Sequence, residues 1–507
     1  MSYIKRIATV AIVSVALIII IAWTSTMFKT VDNGKSNLDN LQDKSMNNTS
    51  SSSLGTAVVS AVTPYVTEYS LPNGTWPNAI LVDKKGMVWT VGSKSDTLIE
   101  LDPKDLQLRS YQIPEDAGGI ERMAWSMVED KDNFTWFSQF GPEHLWRFDP
   151  ETGKFEPFHT DAPPFQMKVD NSTGDIWFTT LSSDTLGVVQ KIKSNTESDE
   201  SYKISEFPTG NDTYPSGLTL NGNSVWITEI EKGKVAKFDV MRDANGLVVD
   251  VKKTLEIPTK IQLSIPTDLL FSSNRTLWIT EHGPSTITKL GLNSQGFTRF
   301  ATSQNRYDVA SLPFWLRESS DRQGFWFNEH EGGNVAFFNV SSTTLTEFDV
   351  PTNSTEEVAF MLNLATDPHD PYKAWFSEWN SNRIGVVNRN LAIPFDINSN
   401  LDKVVLGNGS LRQEIDITIS GNGKPIGSNY TTINLKASSS MEPAAGFVNM
   451  SAKFMDGNIL DLTGASKQHF KLLLEDHSAP PGNYTVGISA TNGMMTKTIF
   501  LDLIVRP

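Results

Sequence analysis

A tryptophan that returns at a near-constant interval is the strongest constraint on this chain. Trp89, Trp136, Trp177, Trp226, Trp278, Trp326 and Trp375 are separated by 47, 41, 49, 52, 48 and 49 residues, so seven of the thirteen tryptophans hold one recurrent position. The phrase around Trp278, Asn274-Arg-Thr-Leu-Trp-Ile-Thr-Glu-His-Gly-Pro-Ser-Thr-Ile-Thr-Lys-Leu, returns with variations at the other six. No useful 3.6-residue period lies between the tryptophans. Units of this length that read as several short strands are propeller blades rather than turns of a helical solenoid. In the fourth unit Gly217-Leu-Thr-Leu, Ser224-Val-Trp-Ile-Thr, Lys234-Val-Ala-Lys-Phe-Asp-Val and Thr254-Leu-Glu-Ile read as four strands, with Asn221-Gly222-Asn223 as a turn.

Tyr65-Val-Thr-Glu-Tyr-Ser-Leu-Pro reads like the last strand of a blade, comparable to Leu345-Thr-Glu-Phe-Asp-Val-Pro, yet it precedes the first repeat. The seventh unit lacks an outer strand of its own. The segment Tyr65 to Leu71 is therefore expected to close the ring, removing the sheet edges an open array would expose.

The predicted architecture is all-β. A seven-bladed β-propeller spans residues 63–392, and an immunoglobulin-like β-sandwich spans 400–507, where the tryptophans stop and short runs alternate apolar and polar. Residues 29–62 are polar and aperiodic and read as a flexible stalk. Residues 1–28 carry Lys5 and Arg6 ahead of an uncharged apolar run from Ile7 to Phe28, the pattern of an N-terminal transmembrane helix with the remainder of the chain outside. A cleaved signal peptide and a secreted protein are the alternative.

The net charge of −15 and the lack of any Lys/Arg run argue against a nucleic-acid partner. The chain has no cysteine, which excludes disulfides and thiolate chemistry. Thirteen Asn-x-Ser/Thr sequons, from Asn47 to Asn483, are compatible with glycosylation of an exported protein.

Three residues after each repeat tryptophan the strand is expected to emerge beside the central channel. Those positions are Gly92, Gln139, Thr180, Glu229, Glu281, Glu329 and Glu378, followed in the last blades by His282, His330 and Trp379, with Glu331 just beyond. The pairs Glu281-His282 and Glu329-His330 are candidate acid-base groups, and Glu281 and Glu329 are candidate ligands for Mg2+ or Ca2+. Glu229, Glu331, Glu378, Trp379, Trp76, Phe314 and Trp315 are candidate ligand-binding residues on an acidic, aromatic rim, with Trp125 nearby. The ligand class stays open between a small molecule, a glycan and a protein. The plainer alternative makes the repeated acids turn residues copied with the blade.

The phrases Trp226-Ile-Thr-Glu, Trp278-Ile-Thr-Glu and Trp375-Phe-Ser-Glu-Trp-Asn-Ser-Asn-Arg-Ile-Gly-Val-Val resemble the virginiamycin B lyase (streptogramin lyase) family. Over about residues 65 to 390 that resemblance implies a seven-bladed propeller. It also implies an enzyme that opens a cyclic depsipeptide by magnesium-assisted elimination, using histidines near the start of the inner strand in the last blades. Here those places hold Pro313-Phe314 and Val358-Ala359-Phe360, with Glu356 and Glu357 just upstream and His369 in a later turn. Two functions follow: a membrane-anchored, extracytoplasmic binding propeller, or a carbon-oxygen lyase or lactone-directed hydrolase with a divergent site.

Overall fold

The computed structural model describes residues 52–114, 123–192, 201–261, 263–272, 275–303, 310–354, 359–407, 409–423, 431–441, 446–462 and 466–507. Blade five shows how one repeat folds. Its strands Pro266–Phe271, Leu277–Glu281, Thr286–Gly291 and Gly296–Ala301 form an antiparallel sheet in chain order from the channel outward. Every residue of Leu277–Glu281 is buried. A blade packs a neighbour against each face, so its second strand reads as a continuous apolar run instead of an alternation.

The innermost strands of consecutive blades touch in chain order. The seventh, Met361–Thr366, returns to the first, Pro77–Val82, so the sheets form a closed ring of seven. The repeat tryptophans hold the ring together: Trp136 packs on Met167, Ile176 and Phe178 of blade three, and Trp278 lies 5.1 Å and 5.0 Å from the rings of Phe325 and Phe338 of blade six. Blades one and two add a polar device. Asp83 accepts the backbone N–H of Lys85 and Met87 with one oxygen, shaping the turn, and the indole N–H of Trp89 with the other at 2.9 Å. Asp130 serves Trp136 in the same way. Gly86 completes the first of these turns at φ +84°, a conformation that favours glycine.

Val66–Ser70 lies antiparallel to Arg383–Asn388 as the outer strand of blade seven, with Glu68 opposite Gly385. The N-terminal segment therefore closes the ring. Tyr65 is 1% exposed, packs 5.4 Å from Phe348 and donates its hydroxyl to the Ala392 carbonyl at 3.3 Å. The expected stalk is corrected in its last part: Ser52–Thr56 and Val58–Val62 are strands, and 29–51 lie outside the described residues. Ser52–Thr56 pairs with the outer strand of blade one, Gln107–Gln112, and Val58–Val62 pairs with Val66–Ser70, so this arm straddles the seam between blades one and seven. The Ser/Thr-rich composition concealed it.

The C-terminal region is a two-sheet sandwich whose first strand, Phe395–Ser399, precedes the expected boundary at 400. One sheet joins Phe395–Ser399, Arg412–Gly421, Lys467–Asp476 and Met450–Phe454. The other contains Gly482–Thr491 and Met495–Val505, and its last strand pairs with Thr344–Asp349, the outer strand of blade six. Nine strands thereby form one sheet shared by propeller and sandwich. Phe500 seals the joint, 5.1 Å from Phe300 and 6.3 Å from Phe338, and Thr485 donates to the Arg299 carbonyl at 2.6 Å. Among the described residues no helix is long and apolar enough to cross a membrane; the segment Ile7 to Phe28 lies outside them.

Because Tyr65 is buried in the closing strand, Tyr65→Ala is expected to cost about 3–5 kcal/mol by urea unfolding. Leu54→Ala, at a side chain 75% exposed on the arm, should change stability by less than about 0.5 kcal/mol. Equal effects of the two substitutions would show that closure does not depend on this strand.

Candidate functional site

The backbone turns that end the second strands of blades five and six are built alike. His282 N–H donates to the Ile265 carbonyl and His330 N–H to the Leu312 carbonyl, both at 3.0 Å, fixing each histidine at the inner edge of its blade. Gly283 follows because a β-carbon there would lie 1.8 Å from the Leu263 carbonyl oxygen. Ile265 and Leu312 adopt left-handed backbone (φ 47° and 53°) immediately before Pro266 and Pro313, as do Trp76 and Tyr214 before Pro77 and Pro215. Bulky residues rarely hold that conformation, which concentrates at sites where geometry is imposed.

These turns bring His282 and His330 together, with ring centroids 5.8 Å apart. Phe314 lies 5.7 Å from His282 and 5.8 Å from His330, and Phe360 lies 5.8 Å from His330. Behind them Trp315, Phe165 and Trp125 continue the aromatic packing into the channel, and Trp315 donates its indole N–H to the Leu362 carbonyl at 2.5 Å. Phe314 and Trp315, at 3% and 1% exposed, are a floor to this cluster rather than a rim.

Both histidines are buried, and burial with the neighbouring His330 lowers His282 to about 3, while burial lowers His330 to about 4. Both rings are neutral at pH 7. His282 Nδ1 is 3.3 Å from the Pro313 carbonyl oxygen, an acceptor, so Nδ1 carries the proton and Nε2 holds the lone pair. That Nε2, and Nδ1 of His330, have no hydrogen-bond partner among the described residues. A buried polar atom without a partner costs free energy and calls for an explanation.

The repeated glutamates do not form a solvent-facing rim. Glu229, Glu281, Glu329 and Glu378 are each fully buried and face the outer strand of their own blade. Glu281 is taken up by Arg299, at 2.6 Å and 3.0 Å, and by the hydroxyls of Ser264 and Thr288. Glu229 pairs with Lys253 at 2.7 Å, although burial raises its pKa. Blade six has no such base: Glu347 stands in the place of Arg299, opposite Glu329. As two carboxylates they have no hydrogen to share, leaving Glu329 Oε1 and Glu347 Oε2 without partners; one proton between them restores a bond. Burial and then Glu347 push Glu329 well above the usual range, and burial lifts Glu347 to about 7. In blade seven burial and then Glu68 lift Glu378 to about 8 against the pull of Arg383.

Among the described residues no three His, Asp or Glu side chains are placed to hold a metal ion. Glu281 and Glu329 are each engaged within their own blade, so they do not fit as joint ligands of Mg2+ or Ca2+. Glu331 is half-buried, with its pKa raised by burial. Glu356 and Glu357 lie outside the described residues, and His369 lies in an exposed turn, 2.7 Å from the Lys84 carbonyl. Trp76 and Trp379 meet edge to face at 4.5 Å. The sequence reading missed Lys94, whose ammonium lies 3.3 Å above the Trp76 ring and which no motif marks.

No family model and no curated protein matches this chain. Solved structures do. A catalytically inactive histidine-to-alanine variant of virginiamycin B lyase from Staphylococcus aureus with quinupristin superposes with a TM-score of 0.51 at 19% identity, covering 64% of this chain and 98% of that one. A streptogramin B lyase structure gives 0.51 at 18% identity, covering 64% and 97%. The likeness is one of fold, the β-propeller.

The two kinds of buried glutamate make opposite predictions. Glu281→Gln leaves Arg299 without its charge partner and is expected to cost roughly 3 kcal/mol. Glu329, Glu347 and Glu378 have raised pKa values, so their contribution to stability is complete below the ordinary 4.5 and is lost as pH rises through about 7 for Glu347 and about 8 for Glu378. Glu329→Gln should therefore raise the melting temperature above neutral pH and flatten its fall between the ordinary 4.5 and about 7, the window of the pair. Parallel melting profiles for wild type and Glu329→Gln would refute the acid pair.

Proposed function

We propose that this chain is a ligand-binding β-propeller whose channel mouth, at His282, His330, Phe314 and Phe360, receives an apolar ligand bearing hydrogen-bond donors. The observation that carries this reading is the pair of neutral, buried imidazoles with unpartnered nitrogens. His282 Nε2 is an acceptor awaiting a donor, and the phenylalanines supply the apolar wall. A ligand that satisfied those nitrogens would recover the free energy that burying them costs.

A lyase or lactone-directed hydrolase is the second reading, supported by the shared fold with a structure that contains quinupristin. Its weakness is electrostatic. A general base works best with a pKa near the operating pH, and imidazoles held near 3 and 4 are poor proton acceptors at pH 7. Titration with quinupristin separates the readings. Binding without turnover, weakened roughly tenfold or more in His330→Ala, is the expected result. Elimination would break the ester C–O bond, move the adjacent C–H proton to a base and yield a carboxylate and an alkene of unchanged total mass. Hydrolysis would add one water. Either product would replace the binding reading with the enzymatic one, and no interaction at all would count against both.

The placement of this mouth outside the cell, on an anchor formed by Ile7 to Phe28 with Lys5 and Arg6 inside, is part of the same proposal, as are the immunoglobulin-like assignment of the sandwich and glycosylation at exposed sequons such as Asn73, Asn211 and Asn483. Protease added to intact cells should cut the propeller without lysis. Protection until lysis would place it inside.

A further inference from the structure

We propose that the shelf formed by Trp76, Trp379 and Lys94, at the seam of blades seven and one, is a binding subsite for a flat aromatic carboxylate. The two half-buried indoles meet at 4.5 Å and 80°. Trp76 is held by the pre-proline turn common to several blades: its backbone is left-handed, at φ 52° before Pro77, and its backbone N–H donates to Asn382 Oδ1 at 3.0 Å. The Asn382 amide in turn donates to the carbonyls of Leu71 and Pro72 at 3.0 Å and 2.7 Å. Blade four builds the same turn, with Tyr214 N–H donating to Asp184 Oδ1 at 2.9 Å, so the repeat fixes the backbone here and the shelf is set apart by the side chains it carries.

The polar groups of the shelf specify the rest of the ligand. Lys94 Nζ lies 3.3 Å from the centre of the Trp76 ring and 5.9 Å from that of Trp379. No carboxylate pairs with Lys94 among the described residues, in a chain whose 58 acids outnumber its 43 bases. Trp379 Nε1 is buried and has no acceptor among the described residues. Two donors beside two indole faces complement an aromatic plane that carries an anionic acceptor. The plane would occupy the Trp76 face in place of the ammonium, and the flexible Lys94 side chain would turn its charge onto the carboxylate.

The subsite rests on the reading of this face as ligand-binding, because it is continuous with the histidine cluster: the backbone N–H of Trp379 donates to the Phe360 carbonyl at 3.0 Å, and the Phe360 ring lies 5.8 Å from His330. Its test is separable from that reading. The full-length protein is titrated calorimetrically with 2-naphthoate and with uncharged 2-naphthamide at low ionic strength, where an exposed lysine is least screened. Naphthoate is expected to bind roughly tenfold more tightly than naphthamide. Lys94→Met should abolish that preference, and Trp379→Phe, which keeps a ring but loses the N–H, should weaken naphthoate. Equal affinity for the two probes, or a preference that survives Lys94→Met, overturns the subsite. If that happens while quinupristin still binds through His330, the subsite alone fails; if naphthoate binds selectively and quinupristin does not, the histidine mouth alone fails.

Discussion

Everything in this molecule depends on one strand pairing. Val66–Ser70 lies against Arg383–Asn388, and without it the seventh sheet would end in an open edge and the ring would have no fixed circumference. The pairing also delivers Glu68 to the interior, where it accepts the backbone N–H and hydroxyl of Thr352 and faces Glu378. Closure and the electrostatics of the last blade are thus one event. The histidine cluster inherits its geometry from the closed ring, because His282, His330 and Phe360 reach the channel from three consecutive blades.

The propeller was largely legible in the sequence, and for a physical reason. A tryptophan packed against the next blade can be kept at one position only if every blade has nearly the same length, so the spacing of Trp89 through Trp375 reports the repeat directly. The closing strand was legible because Tyr65 to Leu71 looks like an outer strand standing in the wrong place. The arm at residues 52–62 was not. Strands composed of Ser, Gly, Thr and a few valines have no pattern to distinguish them from a linker, and only the outer strands of blades one and seven give them partners.

The candidate site was half legible. Residue type and register place His282 and His330 on neighbouring blades beside the channel, but the same register puts the glutamates on a rim, where the structure does not have them. In a propeller both faces of a strand are covered, so alternation cannot tell a side chain that lines the mouth from one buried between strands. What sets the charge state of each glutamate is a residue on the outer strand: Lys253 or Arg299 in blades four and five, Glu68 or Glu347 in blades seven and six. That contrast was visible as sequence, but its meaning required knowing which positions face each other.

The arm across the seam also makes the ring a mechanical clasp. A pull on the chain ahead of Ser52 is borne first by the pairing of Ser52–Thr56 with blade one, next by Val58–Val62, and only then by the strand that closes the circle. At the C-terminal end of the chain, the nine-stranded sheet joins the sandwich to blade six through continuous strand pairing. Load entering at the N-terminal side therefore peels in stages, whereas load entering through the sandwich is carried by the whole body at once.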